Sequence, residues 1–178
     1  MTRWVFVKEV VRIVSQWATL FGERWVTDKG QELEYWRVER PDSVIVLPIH
    51  KGDFLLPHSC FRPGVKRGTL DFPGGRHPAQ NQLRQTALQV LERELGVPET
   101  AVTELVQLNE KKWDVDSSFS CQGLWVFFAT IDEAYPMDKA LVGACVKADE
   151  SGVKALLGRL DCLQCRASLL EWAQKRLN

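Results

Sequence analysis

The sequence has no excess of charge of either sign, because 23 lysines and arginines are matched by 23 aspartates and glutamates. Proteins that attract nucleic acid through their overall charge are typically basic, so the composition gives no support to that class. No apolar run is long enough to span a bilayer. The N-terminal stretch is interrupted by Lys8, Glu9 and Arg12 and lacks the apolar core of a signal peptide. We therefore expect a soluble, cytoplasmic protein that binds neither membrane nor nucleic acid.

Cysteine and histidine are too few and too scattered to predict a disulfide framework or a zinc site. The five cysteines are an odd number, and their only short spacing is Cys162-Leu163-Gln164-Cys165. A CxxC pair can be redox-active or half of a zinc site, but no second pair completes such a site and no thioredoxin-like strand precedes it. The pattern favours ordinary helix packing for the two cysteines. We expect turn or surface roles for the three histidines, His50, His58 and His77.

What is present is enough sequence, 178 residues, for one domain with a substantial core. Apolar periodicity predicts strands on both sides of one long helix, and two further helices at 150–159 and 163–177. The expected strands lie within 3–21, in hairpins at 24–38 and 43–61, and at 69–72, 101–108, 124–131 and 141–146. The run at 124–131 is the most apolar and is predicted to be a central strand. This order predicts a mixed sheet with helices on its faces.

Residues 70–97 combine a glycine-rich segment with one amphipathic helix. Gly74 and Gly75 permit a tight turn with positive φ, or a close approach of backbone. Pro78 suits the first turn of a helix, and Gly96 is typical of a helix end. Between them, apolar residues recur at the spacing of one helical face: Leu83, Ala87, Val90, Leu91 and Leu95.

Glu94 is predicted to lie near the middle of this apolar face, four residues from Val90 and three from Leu91. A carboxylate on a buried face needs a partner, a metal ion or water. It either pairs with Arg76 or Arg62 as a structural carboxylate, or it binds a metal or a ligand.

This layout resembles the Nudix box, G-x5-E-x7-R-E-U-x-E-E-x-G-U, in which U is apolar. Gly75, Leu91, Glu94 and the ending Gly96-Val97 match the pattern. Most of the chemically active positions depart from it. Asn81 replaces the first glutamate, Gln89 and Val90 replace the Arg-Glu pair, and Arg93 replaces the first glutamate of the Glu-Glu pair. The segment resembles the box in its turn and packing positions, and departs from it in most of its acids.

Flanking segments resemble the ADP-ribose pyrophosphatase branch of the Nudix hydrolases. Residues 61–64, FRPG, are similar to an aromatic-Arg-x-Gly loop, and residues 70–75, LDFPGG, to an L-E-x-P-[A/G]-G lead-in with Asp71 for the glutamate. Residues 118–122, SFSCQ, are similar to a G-x-S-x-E loop. The resemblance implies an α/β fold, a Nudix-type α/β/α sandwich with a mixed sheet and extra N-terminal strands. It implies one domain over 1–178, with N-terminal strands at 1–40 that form a homodimer, a degenerate box at 70–97 and C-terminal helices at 149–178.

Nudix hydrolases cleave a diphosphate linked to another moiety, using divalent metals held by the box glutamates. The resemblance leaves Glu94 as the only retained box glutamate, a catalytic and metal-binding candidate, with the Gly74 carbonyl as a second metal ligand. It also implies substrate contacts from Arg62, Arg76 and the Gly74-Gly75 backbone, since a guanidinium fork suits a diphosphate. Three aromatic residues either stack on a base or belong to the core: Phe119, Trp36 and Trp113.

Three hypotheses about function follow. In the first, the chain is a Nudix-fold pseudo-enzyme with lost or impaired hydrolysis, which needs no cofactor and acts as a nucleotide-sensing, regulatory or interaction module. In the second, it is an active pyrophosphatase that uses Mg²⁺ or Mn²⁺ to cleave ADP-ribose or another nucleoside diphosphate-X. That activity would need a rearranged set of acids, drawn from Asp71, Asp114, Asp116, Glu133 and Asp138. In the third, it is a dimerising scaffold with a vestigial cleft.

Overall fold

The computed structural model describes residues 3–78 and 81–177, and its contacts divide the chain into two compact units. The N-terminal unit comprises Met1–Asp42 and Asp114–Gly123, and the sheet unit comprises Ser43–Trp113 and Leu124–Asn178. The organisation as a single domain stays a prediction. No helix within the described residues is long and apolar enough to cross a membrane.

The N-terminal unit is built on an antiparallel sheet of β1 (Val5–Val14), β2 (Thr19–Val26) and β3 (Glu32–Glu39), in that order. The turn predicted between the second and third strands is confirmed. Gly30 adopts a left-handed φ of 77° there and donates its N–H to the carbonyl of Thr27 at 3.0 Å. Only one residue of β1 is even partly buried, although the strand is mostly apolar.

A buried ion pair joins β2 to β3. Arg37 donates from Nη2 to Glu23 Oε1 at 2.8 Å and from Nε to Glu23 Oε2 at 3.0 Å. The hydrogen bonds from Arg37, with a further one from Trp25, hold the pKa of Glu23 below its ordinary value although burial opposes this. The Arg37 guanidinium also lies 4.2 Å from the centre of the Phe21 ring. The ion pair and the ring contact together fill the buried face of this unit.

The remaining elements belong to the sheet unit, except that Asp114 of β10 and Gly123 of β11 are grouped with the N-terminal unit. The strands are β4 (Ser43–His50), β5 (Asp53–Pro57), β6 (Cys60–Arg62), β7 (Arg67–Thr69), β8 (Gly74–Arg76), β9 (Val102–Gln107), β10 (Trp113–Asp114), β11 (Gly123–Ile131) and β12 (Val142–Lys147). The helices are α1 (Leu83–Leu95), α2 (Glu150–Leu157) and α3 (Leu163–Arg176), with a 3-10 turn at Glu99–Ala101. The central order is β11-β4-β5-β12, with β8 added to β4 and β9 to β11. β11 runs parallel to β4 and antiparallel to β9, so the sheet is mixed and β11 is internal to it, as predicted.

Helices cover both faces of this sheet. Val44 and Val46 of β4 share one buried cluster with the apolar face of α1, which confirms the predicted stripe. Neighbouring strand residues point to the opposite face. There the Phe54 ring lies 4.6 Å from the Trp172 ring of α3, and the guanidinium of Arg176 in α3 lies over Phe128. The predicted α/β/α sandwich is confirmed.

Three local predictions around the glycine-rich segment are wrong. Gly74 and Gly75 form no tight turn but lie in β8, paired with Ile45 and Val44, and neither has a positive φ. The predicted strand at 69–72 ends at Thr69, because Thr69 pairs with Cys60, the first residue of its partner strand β6.

The long helix also begins later than predicted. Its first residue is Leu83, and Pro78 precedes the helix, with its carbonyl accepting the Asn81 N–H at 3.0 Å. The predicted end at Gly96 is confirmed by a left-handed φ of 67°.

Candidate functional site

The last turns of α1 lie against β8, and this contact brings several of the predicted site residues together. Glu94 belongs to α1, and Gly74 and Gly75 to β8. Arg76 ends β8 and is exposed, and Arg62 ends β6. Phe119 belongs to the N-terminal unit, whereas the other candidates belong to the sheet unit.

At this contact a single guanidinium joins the two predicted metal ligands. Arg93 Nη2 donates to the Gly74 carbonyl at 2.7 Å and to Glu94 Oε1 at 2.8 Å, and Nε donates to the same Glu94 oxygen at 3.1 Å. Glu94 thus forms an ion pair with Arg93, an arginine that the sequence prediction did not name as its partner. Glu94 lies at the edge of the apolar face rather than near its middle, because its side chain remains 32% exposed.

Gly75 leaves room for this guanidinium. A Cβ at position 75 would lie 3.0 Å from Arg93 Nη2 and 3.0 Å from Val90 Cγ2, closer than ordinary van der Waals contact. The predicted close approach is therefore confirmed, while the predicted positive φ is wrong. The requirement for glycine here is steric and comes from the side chains of α1.

The other departures from the Nudix box also have defined places in the fold. Val90 is 1% exposed and belongs to the core cluster under the sheet. Asn81 and Gln89 meet through a long hydrogen bond of 3.5 Å between their amide groups. Two positions that carry charge in the box therefore form a neutral contact here. The third position, Val90, contributes apolar packing.

Arg62 forms an ion pair with Asp71. Its Nη2 and Nε donate to Asp71 Oδ2 at 2.9 and 3.2 Å, and Thr69 Oγ1 donates to the same oxygen at 2.8 Å. The bond to Asp71 is the main cause of a raised Arg62 pKa, and the charge of Glu94 adds to it. Arg62 is therefore close enough to Glu94 for the two charges to interact. The Nη1 group of Arg62 makes no hydrogen bond to Asp71.

Two of the other acids considered for a rearranged set make local contacts, and none of them lies with Glu94 in a common group of possible metal ligands within the described residues. Asp138 accepts the Ala140 N–H at 2.9 Å, and Asp116 accepts the N–H and hydroxyl of Ser118. Asp114 and Asp116 belong to the N-terminal unit, and Glu133 is exposed. Within residues 3–78 and 81–177, Glu94 belongs to no group of three His, Cys, Asp or Glu side chains close enough to share a metal ion.

Two of the three aromatic candidates are exposed. Phe119 and Trp36 are both exposed, which contradicts the core alternative for these two. Trp36 donates its indole N–H to Glu34 at 2.9 Å, and the Phe119 carbonyl accepts the Val38 N–H at 2.7 Å. Trp113 is half-buried.

Comparison with known proteins gives a structural match but no sequence match. No protein-family model matches the sequence, and no curated protein matches it. A crystal structure of an ADP compounds hydrolase superposes with a TM-score of 0.75 and 16% identity, covering 98% of this chain and 96% of that one. The fold is Nudix-like. At this identity the match concerns the fold and not the activity, and the predicted Nudix-type architecture is confirmed by it.

Sequence reasoning identified Arg93 only as a replacement for a glutamate of the Nudix box. It missed that the guanidinium would bind the Gly74 carbonyl and Glu94 together. The available signal was the helical spacing, since positions 90, 93 and 94 share one face of α1. A second signal was Gly75, because a glycine can mark a place where a neighbouring side chain comes too close for a Cβ atom.

Proposed function

We propose that this chain is a Nudix-fold protein that binds a nucleoside diphosphate-type ligand and has lost most or all hydrolase activity. The observation that carries the proposal is the Arg93 guanidinium, 2.7 Å from the Gly74 carbonyl and 2.8 Å from Glu94. These are the two groups that the Nudix resemblance assigns to a metal ion. The guanidinium of Arg93 therefore occupies the place of an exchangeable metal ion.

The donors at this place do not suit Mg²⁺ or Mn²⁺. Mg²⁺ prefers six oxygen ligands and is held by carboxylates that supplement its waters. Here one carboxylate, Glu94, and one carbonyl, Gly74, remain, and both already accept hydrogen bonds from Arg93. A guanidinium a few ångströms away also repels a divalent cation, by about 1 kcal/mol or more at a partly exposed site. The arrangement therefore opposes metal-dependent hydrolysis.

The same arginine supports binding of an anion. Arg93 is 55% exposed, so part of its guanidinium remains accessible beside its two oxygen partners. Arg62 lies within the electrostatic reach of the same carboxylate, and Arg76 follows Gly75 on β8. Guanidinium groups donate paired, charge-assisted hydrogen bonds to phosphate oxygens. The structurally similar protein acts on ADP compounds by name, which supports a nucleoside diphosphate as the ligand class.

Calorimetry with ADP-ribose tests this proposal. Binding should be the same in EDTA and in Mg²⁺, should weaken about tenfold or more in Arg62→Ala, and should be unchanged in Arg84→Ala, which alters an exposed arginine of α1. Chromatography of the same mixtures should show no AMP formed in Mg²⁺ or Mn²⁺. Brisk metal-dependent formation of AMP would support the active pyrophosphatase instead. Absence of binding under every condition would leave the scaffold hypothesis.

We also propose that the partner of the N-terminal unit is a second copy of this chain, bound through β1. The strand is apolar and exposed along nearly its whole length, and the Nudix resemblance implies dimers through N-terminal strands. Sedimentation should show a dimer for the wild type and a monomer for Val10→Asp. Val65→Asp changes an exposed valine of the sheet unit and should leave the dimer intact. A monomeric wild type would contradict this assembly.

A further inference from the structure

A second cluster of reactive side chains lies where the segment before β8 meets the start of α3. Cys162 is the N-cap residue of α3, and Cys165 lies within its first turn. Their sulfur atoms and one carboxylate oxygen of Asp71 all lie within 4.8 Å of one another. Cys165 is 2% exposed, whereas Cys162 is only half-buried. Helix packing explains the buried thiol but leaves the accessible thiol at the helix start unexplained.

The two thiols differ in acidity. The thiol of Cys165 donates a hydrogen bond to the Cys162 sulfur, and together with the first-turn N–H groups of Cys165 and Gln164 it lowers the pKa of Cys162 to about 6. The same hydrogen bond and burial raise the pKa of Cys165 well above its ordinary value. Near neutral pH the accessible sulfur is therefore a thiolate and the buried one a thiol. A low-pKa, accessible cysteine beside a second thiol is the arrangement that thiol–disulfide chemistry requires.

Asp71 supplies the third component. Its Oδ2 is occupied by Arg62 and Thr69, but its Oδ1 is buried and has no hydrogen-bond partner in the part of the chain that the structure describes. An unpaired buried carboxylate oxygen is costly and indicates a role beyond packing. Next to Cys165, this carboxylate is placed to accept the proton that the buried thiol must lose before it can react.

We propose that Cys162 and Cys165 form a redox-active dithiol that exchanges with external disulfides. The Cys162 thiolate attacks one sulfur of the external disulfide, whose S–S bond breaks, and a mixed disulfide forms as the first thiolate leaves. Cys165 then transfers its proton to Asp71 and attacks the Cys162 sulfur, and the second external thiolate leaves. One external disulfide is reduced to two thiols, and the cysteine pair is oxidised to one disulfide. The reverse reaction regenerates the dithiol.

Neither cysteine belongs to the proposed diphosphate site, and the ion pair of Arg62 with Asp71 connects the two places. The same three side chains could be considered as zinc ligands, but they provide only three donors, one fewer than a structural zinc site uses. The Arg62 guanidinium on Asp71 also opposes a cation there. The dithiol is therefore the interpretation that the observations favour, and zinc binding is an outcome that the experiment distinguishes.

Exchange with glutathione disulfide tests the proposal in the full chain. After incubation and acid quenching, peptide mass spectrometry should find an intramolecular disulfide between Cys162 and Cys165. Cys165→Ser should retain one glutathione on Cys162, and Cys162→Ser should form neither product at this place. Cys60→Ser and Cys121→Ser remove exposed cysteines elsewhere and should behave as wild type. Asp71→Asn should accumulate the mixed disulfide, because the second step then lacks its proton acceptor.

A second measurement uses only the wild-type chain, so its outcome does not depend on whether a variant folds. In the wild type at pH 7, iodoacetamide should alkylate Cys162 on the order of tenfold faster than Cys60, because most of Cys162 is thiolate. Three results would overturn the proposal. They are failure to form the Cys162–Cys165 disulfide, alkylation of Cys162 no faster than that of Cys60, and one equivalent of tightly held zinc that protects both thiols.

Discussion

Replacing Arg93 by methionine should lower the stability of the chain, and added metal should not restore it. Methionine keeps much of the length of the side chain and removes its charge and its donors. The variant loses the hydrogen bond to the Gly74 carbonyl and both hydrogen bonds to Glu94. It tests directly whether the guanidinium is a structural part of the cleft.

The size of the effect follows from the exposure of the groups. With side chains 55% and 32% exposed, the pair of Arg93 and Glu94 contributes about 0.2–1 kcal/mol. The bond to the half-buried Gly74 carbonyl adds about 1 kcal/mol, the typical net contribution of an intramolecular hydrogen bond, because the Arg93 donor is largely exposed. The free energy of unfolding should therefore fall by about 1–2 kcal/mol. For a chain of this size the melting temperature then drops by roughly 2–4 °C for each kcal/mol.

Melting curves followed by circular dichroism provide the assay, in EDTA and in millimolar Mn²⁺. Arg84→Met is the matched control, because Arg84 is exposed on the same helix and the exchange has the same small effect on helix propensity. Arg93→Met should melt lower than the control by the same amount in both buffers. Equal melting of the two variants would refute the reasoning, since Arg93 would then not be held between its oxygens. Recovery in Mn²⁺ would show that Glu94 and Gly74 suffice for a metal site.

Two further outcomes follow from the structure. The triple variant Gln89→Arg, Val90→Glu and Arg93→Glu should melt below wild type in chelator and gain stability in Mn²⁺, because three carboxylates would face one cleft. Melting without any Mn²⁺ response would show that this face of α1 does not serve a metal site. Glu23→Gln should be destabilising at pH 7 and less destabilising at pH 3. The pKa of Glu23 is lower in the folded state, so its pairing with Arg37 stabilises the fold above the ordinary carboxyl pKa, and this contribution is lost as the pH falls through the lowered pKa of the folded state. A destabilisation that stays constant between these pH values would contradict this assignment.

Local sequence patterns predicted the elements whose burial is set by their own periodicity. The apolar face of α1, the internal strand at 124–131 and the two C-terminal helices all have such patterns, and each lies where it was expected. The hairpin turn at Gly30 was also readable, because a left-handed glycine between β-favouring runs is a short-range signal.

The features that sequence reasoning missed depend on partners far away in the chain. Arg93 and Gly74 are 19 residues apart, and only the packing of α1 on β8 shows that they meet. Glycine permits both turn and extended backbone, so the strand at Gly74–Arg76 required knowledge of its partner β4. Sequence alone likewise favours helix packing for the two cysteines of the CxxC pair, because only the folded chain brings Asp71 from a distant segment beside them.

The hydrogen bonds from Arg93 to Gly74 and Glu94 also limit which single substitutions α1 can tolerate. A single change of Arg93 to glutamate would set two neighbouring carboxylates beside a carbonyl with no cation among them. A single change of Val90 to glutamate would bury a charge in the core. Either substitution, made alone, would therefore give a less stable protein. A new carboxylate on this face of α1 would need a second, compensating change to keep the fold stable.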